Sequence, residues 1–288
     1  MHKQVNISAI DGAEIFAELF ALKQQPQKGA VIIVHGFGEH TGGYHETAEK
    51  FSQAGYASIV FNQRGHGMHA ADKKSAKKQG IIPKYQAFLD DISSVAAYMK
   101  NEYPNLPVSL YGHSMGGNIV INYLFSNNTG DYKCAVLESP WLGLYREKGF
   151  LVNWLAIFLG FISPNIAIIN KLNIDDITSD IIKANIMKND PLYHNRISMR
   201  LFASIVKRGK YAEKNGAKIT IPLYLAYAKN ERIVCNRAIN KFAGGGGANI
   251  KKYEYESNHA IHNDKIRETF FNDVIKFLDN CRLGAKND

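Results

Sequence analysis

A serine bracketed by glycines is the feature of this sequence best suited to covalent chemistry. The motif Gly-x-Ser-x-Gly spans Gly112–Gly116, after the apolar run 108–111 and before the helically spaced apolar segment 119–124. Glycine lacks a Cβ and therefore permits a sharp, strained turn between a strand and a helix. Such a turn would expose the Ser114 hydroxyl and direct the Met115 amide toward developing negative charge. The context predicts a nucleophilic serine, although the motif also arises by chance in small-residue loops.

A serine hydroxyl is a poor nucleophile at neutral pH and needs a general base. Two histidines, His259 and His262, follow the predicted last strand, 249–256. His259 is the preferred base because it comes soonest after that strand, whereas His262 is expected to lie beside or behind the site. His113 precedes the serine directly, so we expect its side chain to line the pocket.

The base needs an orienting acid, and two carboxylates could provide it. Glu231 directly follows the predicted strand 221–227, and Glu138 ends the preceding strand, 133–140. Glu231 is preferred because it completes the order serine, acid, histidine along the chain. Its alternative interpretation is a surface charge paired with Arg232. The amide of Asn230 is a poorer candidate because it cannot stabilise an imidazolium as a carboxylate does.

A glycine-rich turn after another buried strand could supply the second part of the chemistry. The segment His35–His40 reads His-Gly-Phe-Gly-Glu-His and follows the continuous apolar run 30–34. Its Phe37 amide, together with that of Met115, is predicted to donate hydrogen bonds to an oxyanion.

These motifs together resemble the α/β-hydrolase fold, and within it the monoacylglycerol lipase and lysophospholipase family. The similarity runs from about Ile32 to Leu278 and is weakest in the middle. It implies a serine carboxylic ester hydrolase that acts on lipids with one acyl chain through Ser114, His259 and a glutamate. We expect Gly36, Glu39 and His113 to contact the substrate, with Phe37 and Met115 as the oxyanion hole.

Several positions depart from the family pattern. Asn62 stands where aspartate is usual, and the triad acid is glutamate rather than aspartate. Gly43 replaces an arginine and Met187 a tyrosine near the glycerol end of the site. Lysophospholipids or general carboxylic esters therefore remain open as substrates, and a serine aminopeptidase is the alternative enzyme.

The elements that must position these residues alternate between strands and helices, as in an α/β protein with a mostly parallel sheet and helices on both faces. Alternating residues on either side of Asp11-Gly12 predict an initial hairpin. The alternation of strand and helix patterns stops after Pro140. Residues 141–216 are therefore predicted to form a helical cap, inserted into a core formed by residues 1–140 and 217–288. The apolar stretch 150–169 is interpreted as two short cap helices broken at Ser163-Pro164.

Composition narrows the function classes further. The 288 residues carry a formal net charge of +9, with basic clusters around Lys73, Lys207 and Lys251. Basic residues on solvent-exposed faces and loops are one explanation of such clusters. The more specific hypothesis is that the clusters make peripheral contact with anionic phospholipid head groups. No nucleic-acid recognition motif, P-loop or dinucleotide fingerprint is evident, so neither nucleic acid nor a cofactor is predicted. His66 and His69 lack a carboxylate or cysteine at ligand spacing, and no metal is predicted.

Cysteine usage and the first residues indicate a compartment. The cysteines Cys134, Cys235 and Cys281 are few, odd in number and far apart, which favours a reducing environment. Residues 1–8 lack the apolar core of a signal peptide. We therefore expect a cytoplasmic protein, with peripheral membrane association as a variant; the oligomeric state is not predicted.

Overall fold

An eight-stranded sheet organises the fold. The computed structural model describes residues 1–22, 27–67, 78–126, 132–145, 163–170 and 172–284. The strands of this sheet, in chain order, are β1 (His2–Ser8), β2 (Glu14–Phe20), β3 (Gly29–Val34), β4 (Tyr56–Phe61), β5 (Val108–His113), β6 (Tyr132–Glu138), β9 (Leu223–Ala228) and β10 (Ile250–Tyr255). Their spatial order is β1-β2-β4-β3-β5-β6-β9-β10. The first two strands pair antiparallel to their neighbours and the others are parallel. The predicted fold class is confirmed.

The central strands are buried on both faces, and their sequences are therefore largely apolar throughout. Every residue of β3, β4 and β5 is buried, because a parallel strand in an α/β protein is covered on both faces. Successive side chains point to opposite faces. Ile32 and Val34 accordingly lie in one core cluster, and Val31 and Ile33 in the other.

Helices cover both faces of the sheet. They are α1 (His45–Gln53), α2 (Gln86–Glu102), α3 (Met115–Ser126), α4 (Ile174–Ile177), α5 (Ile181–Asn189), α6 (Met199–Glu213), α7 (Asn236–Gly245) and α8 (Arg267–Leu283). Apolar residues of α2, α3, α6 and α7 belong to one core cluster, and those of α1 and α8 to the other. The predicted hairpin is also present, with Gly12 at a φ of 81° in its turn.

The insertion between β6 and β9 departs partly from the prediction. Its first predicted cap helix, which precedes Ser163-Pro164, lies outside the described residues. The second predicted cap helix is wrong at Ala167–Ile169, which forms strand β7 paired antiparallel with β8 (Arg196–Ser198). Isoleucine is β-branched and suits an extended backbone as well as an apolar helix face, so an apolar run alone did not distinguish them. The division into core and cap stays a prediction.

The apolar stretch 150–169 has the length of a membrane span, and its residues 150–162 lie outside the part of the chain that the structure describes. Within that part, none of the helices combines the length and the apolar character that a bilayer crossing requires.

The turn between β5 and α3 depends on close backbone contact, which predicts the effect of adding one methyl group. A Cβ on Gly116 would overlap the carbonyl oxygens of Val34 and His35. We expect Gly116→Ala to lower the free energy of unfolding by about 3 kcal/mol or more, because β3 would have to move. Denaturant unfolding of both proteins measures this change.

The matched control is Gly244→Ala. Gly244 also lies in a helix, α7, and a Cβ there meets nothing within 4 Å. We expect this substitution to stabilise the protein by about 0.5–1 kcal/mol through helix propensity. Equal effects of the two substitutions would contradict the proposed packing at the turn.

Candidate active site

The residue at the centre of the turn is held in a strained conformation. Ser114 has a φ of 51°, a left-handed conformation that L-residues with a side chain rarely adopt. Hydrogen bonds fix the turn: the Ser114 amide donates to the Glu138 carbonyl at 2.9 Å, and its carbonyl accepts from the Trp141 and Asn118 amides. The turn that the Gly-x-Ser-x-Gly motif predicted is therefore present, and Ser114 sits at its apex.

His259 and Glu231 form a buried pair at the same edge of the sheet. His259 Nδ1 lies 2.7 Å from Glu231 Oε2, and both side chains are almost completely buried. The other carboxylate oxygen accepts from the amides of Ile233 and Val234 at 2.7 and 3.1 Å. With Nδ1 occupied by the carboxylate, Nε2 is the nitrogen left to take a proton.

The electrostatics of this pair suit a general base. Burial lowers the pKa of the His259 imidazole, but the charge and hydrogen bond of Glu231 raise it more, so the pKa lies above its usual 6.5. Burial raises the pKa of the Glu231 carboxyl. The charge of His259 and the hydrogen bonds to the carboxylate lower this pKa by more than burial raises it, so the net shift is downward. The ionised carboxylate therefore favours an imidazolium as the proton arrives.

A cavity of about 500 Å³ brings these groups together. Ser114 and His259 both line it, as do Phe37, Glu39 and His113 from the predicted set. Met115 is fully buried at the start of α3. Gly36 is not among the lining residues, and its amide instead donates to Glu39 at 2.6 Å. The roles assigned to these residues stay predictions.

The alternative acid and the alternative base contact each other. Both oxygens of Glu138 lie 2.9 Å from His262 Nδ1, and one accepts from the His262 amide at 3.1 Å. Tyr111 donates to the same carboxylate. Burial raises the pKa of Glu138, but the charges of His262 and His113 lower it to about 2. The contacts of Glu138 are therefore with His262 and Tyr111, and those of Glu231 are with His259, which favours Glu231 as the acid.

A third carboxylate ties the glycine-rich loop to this network. Glu39 Oε2 accepts from the Tyr44 hydroxyl at 2.6 Å and lies 3.3 Å from His113 Nδ1. Burial raises the pKa of Glu39, but the charge and hydrogen bond of His113 and the charge of His262 lower it well below its usual value. The His113 ring is centred 5.0 Å from His259 and 4.9 Å from His262, so it joins the two acid–base pairs.

The insertion closes the cavity on the side of the glycine-rich loop. His40 Nε2 lies 2.9 Å from an oxygen of Asp190, and the His194 amide donates to the Gly38 carbonyl at 3.0 Å. His194 Nε2 also lies 3.0 Å from the Gly65 carbonyl. These contacts seat residues 190–194 directly on the loop that carries Phe37.

Sequence reasoning missed three aromatic residues of the cavity wall, namely Trp141, Tyr193 and His194. Tyr193 also explains one departure from the family pattern, because a Cβ on Gly43 would lie 2.5 Å from its hydroxyl oxygen. Met187 lines the cavity as well. The available signal was position: Tyr193 and His194 follow the Asp-Pro-Leu segment 190–192 directly.

Comparison with known proteins identifies the family. The family described as serine aminopeptidase, S33, matches residues 25–266. A monoacylglycerol lipase of Mycolicibacterium smegmatis is 26% identical over 277 residues, which cover 95% of each chain. Phospholipase YtpA of Bacillus subtilis is 28% identical over 86% of this chain and 94% of its own length. The crystal structure of a soluble variant of monoglyceride lipase from Saccharomyces cerevisiae, in complex with a substrate analog, superimposes with a TM-score of 0.84 at 24% identity, over 97% and 94% of the two chains.

Replacing Glu231 is expected to change both the pH dependence and the rate of catalysis. A base works deprotonated, so kcat/KM should fall as the pH drops through the raised pKa of His259, with a midpoint above about 6.5. Glu231→Gln removes the largest of the interactions that raise this pKa, whereas the burial that lowers it and the smaller effects of the Glu138 and Glu39 charges remain. We expect the midpoint to move to lower pH and kcat to fall by about 10³–10⁴-fold. Initial rates on a chromogenic ester between pH 5 and 9 (roughly the range over which imidazole titrates) measure both.

Glu138→Gln is the matched control because it removes a buried carboxylate but leaves the Glu231–His259 contact in place. We expect kcat to fall by no more than about tenfold. Breaking a buried ion pair costs about 3–5 kcal/mol, so the folded fraction of each variant is checked by circular dichroism. A larger loss of kcat in folded Glu138→Gln than in folded Glu231→Gln would contradict the assignment of the acid.

Proposed function

The chain belongs to the family described as serine aminopeptidase, S33, and is a hydrolase of the lipase and esterase type, and we propose that it cleaves esters of single-acyl-chain lipids through Ser114, Glu231 and His259. The observation that carries this proposal is the buried Glu231–His259 pair at a cavity that Ser114 also lines. The proposed substrates are monoacylglycerols or lysophospholipids.

The mechanism follows from the roles these groups can take. Ser114 Oγ attacks the ester carbonyl carbon while His259 Nε2 accepts the hydroxyl proton, and Glu231 stabilises the imidazolium. The Phe37 and Met115 amides donate to the oxyanion. The tetrahedral intermediate collapses, the C–O bond to the alcohol breaks, and His259 returns the proton to the departing alkoxide. Water then attacks the acyl-enzyme by the same route, which releases the fatty acid and restores Ser114.

The cavity wall supports a substrate with one apolar chain and a polar end. Its volume of about 500 Å³ lies in the usual range of small-molecule sites. The apolar part of the wall consists of Phe37, Trp141, Leu144, Leu172, Ile174, Ile177, Met187 and Ile233. Polar side chains from the insertion, among them Asp190, Tyr193 and Asn195, line the same cavity.

The two cations Lys188 and Arg232 that line the cavity each lie near an aspartate, which bears on the head group. Lys188 Nζ lies 3.1 Å from a carboxylate oxygen of Asp175, and an Arg232 nitrogen lies 3.7 Å from one of Asp176. An anionic head group would have to compete with these aspartates for the cations. Of the two proposed classes, a neutral head group such as glycerol therefore fits this cavity better.

Ser114→Ala tests the proposed nucleophile. We expect kcat on monoacylglycerols to fall by about 10⁶-fold, because loss of a triad serine removes the covalent route. A panel of monoacylglycerols, lysophospholipids, p-nitrophenyl esters and aminoacyl-anilides, assayed with the unsubstituted protein, identifies the substrate class. A fluorophosphonate probe should label the unsubstituted protein and not Ser114→Ala.

Ser126→Ala is the matched control for the probe, because Ser126 is a serine at the far end of the same helix, α3. It should be labelled like the unsubstituted protein. Near-normal ester hydrolysis by folded Ser114→Ala would overturn the mechanism, and a preference for aminoacyl-anilides over every ester would overturn the proposed substrate class.

We propose that exposed isoleucines of the insertion form one apolar face that receives the substrate from a lipid surface. Isoleucines of the insertion are exposed by 43–73% of their surface, namely Ile166, Ile168, Ile169, Ile181, Ile182 and Ile186. The neighbouring residues Asn170, Leu172, Met187 and Lys188 line the cavity. Peripheral contact of this face with a membrane, favoured by the net charge of +9 when the lipids are anionic, would place the cavity at the source of its substrate.

The double variant Ile181→Ser/Ile182→Ser tests this contact by vesicle sedimentation. We expect binding to phosphatidylcholine vesicles to weaken by about tenfold or more, because two largely exposed isoleucines no longer enter the bilayer interface. Adding phosphatidylserine should strengthen binding of the unsubstituted protein. The control is Ile10→Ser, whose side chain is equally exposed, at 73%, in the hairpin turn; an equal loss of binding in this control would contradict the assigned face.

A further inference from the structure

A second group of chemically competent side chains lies in the amino-terminal part of the fold, outside the cavity. His2 from β1, Glu18 from β2 and His45 from the start of α1 each offer one ligand atom, and these atoms all lie within 4.8 Å of one another. We propose that these three residues bind one divalent transition-metal ion of the zinc type.

The distances suit such an ion. His2 Nε2 lies 2.7 Å from Glu18 Oε2, and His45 Nε2 lies 3.1 Å from Glu18 Oε1. Zinc binds imidazole nitrogen and carboxylate oxygen at about 2.0–2.2 Å, so two ligands of a tetrahedral ion are separated by roughly 3.3 Å. To admit it, the His45–Glu18 distance would have to widen by about 0.2 Å and the His2–Glu18 distance by about 0.6 Å.

The carboxylate is held in place for this role. Glu18 is only 4% exposed, and its Oε1 accepts a hydrogen bond from the Thr41 hydroxyl at 2.5 Å. Hydrogen bonds of this kind orient a metal ligand and fix its charge toward the ion. The His2 ring stacks on Phe20, with ring centres 4.3 Å apart and planes inclined by 12°, so it is positioned as well.

The site is open to solvent where an ion would enter. The His2 and His45 side chains are 43% and 41% exposed, which leaves room for a water molecule as a fourth ligand. Two imidazoles and one carboxylate match known zinc ligand sets and are poor ligands for Mg²⁺ or Ca²⁺, which prefer oxygen.

A second group of suitable ligand types, His113, Glu138 and His262, is less favourable. All three residues are fully enclosed, and both Glu138 oxygens already contact His262. That group belongs to the network around His259.

An ion at the proposed site would connect three elements that are distant in sequence. It would fasten the edge strand β1 to α1. Through Glu18 and Thr41 it would also brace the 3₁₀ turn Thr41–Tyr44, which follows the glycine-rich loop. The expected consequence is a gain in thermal stability, independent of the proposed ester hydrolysis.

The test is titration of the untagged full chain, freed of metal with a chelator, with Zn²⁺ in a calorimeter. We expect one ion per chain at this site, and binding at least tenfold weaker in His2→Gln and in His45→Gln. Zn²⁺ at about 100 times its dissociation constant should raise the Tm by roughly 5 °C in the unsubstituted protein and not in the two variants. Co²⁺ should give the visible absorption of a tetrahedral imidazole–carboxylate site, whereas Mg²⁺ and Ca²⁺ should shift no signal.

Glu102→Gln is the control for a general loss of negative charge near β1. Glu102, at the end of α2, has a carboxylate oxygen 3.7 Å from Nζ of Lys3 in β1, and it is not one of the proposed ligands. It should bind Zn²⁺ as the unsubstituted protein does. Both histidine substitutions are at half-exposed side chains, so the variants are expected to fold. Absence of Zn²⁺ binding, or binding and a Tm rise that persist unchanged in both variants, would overturn the proposal.

Discussion

Burial of negative charge at the carboxyl edge of the sheet is the constraint on which the candidate site depends. An ionised carboxylate taken out of water must be paired and hydrogen-bonded, or it takes up a proton instead. Among the described residues, three of the buried glutamates at this edge each meet an imidazole from a different part of the chain. The pairs are Glu39 with His113, Glu138 with His262 and Glu231 with His259. These pairs tie the loop after β3 to the end of β5, and the loop after β10 to both the end of β6 and the loop after β9.

Much of the fold was readable from the sequence because its signals are local. Continuous apolar runs marked the strands buried on both faces, and the closing helix carried a regular apolar stripe. The turn at Ser114 was predictable for the same reason, since glycines at fixed spacing allow a backbone that other residues cannot adopt. The contact between Glu231 and His259 could be inferred as well, because the carboxyl ends of parallel strands meet at one edge of a sheet.

The remaining features depend on contacts between distant segments. Strand β7 was mistaken for a helix because its partner, β8, lies almost thirty residues away along the chain and neither strand has an alternating pattern. The pairing of Glu138 with His262 spans 124 residues, and the proposed metal ligands are 16 and 27 residues apart. Spacing rules for short motifs cannot detect such pairs, since only the folded sheet brings them together.

The contact between Gly43 and Tyr193 has a consequence for exchanging parts with related enzymes. The tyrosine comes from the insertion and the glycine from the core, and the phenol occupies the space that a longer residue at position 43 would need. The residue sizes that fit at positions 43 and 193 therefore depend on each other, although the two positions lie in different segments. A chimaera that takes the insertion from a relative with arginine at the equivalent of Gly43 would leave a void above the glycine, and the reciprocal chimaera would force a collision. Exchanging the insertion between such proteins thus requires moving both positions together.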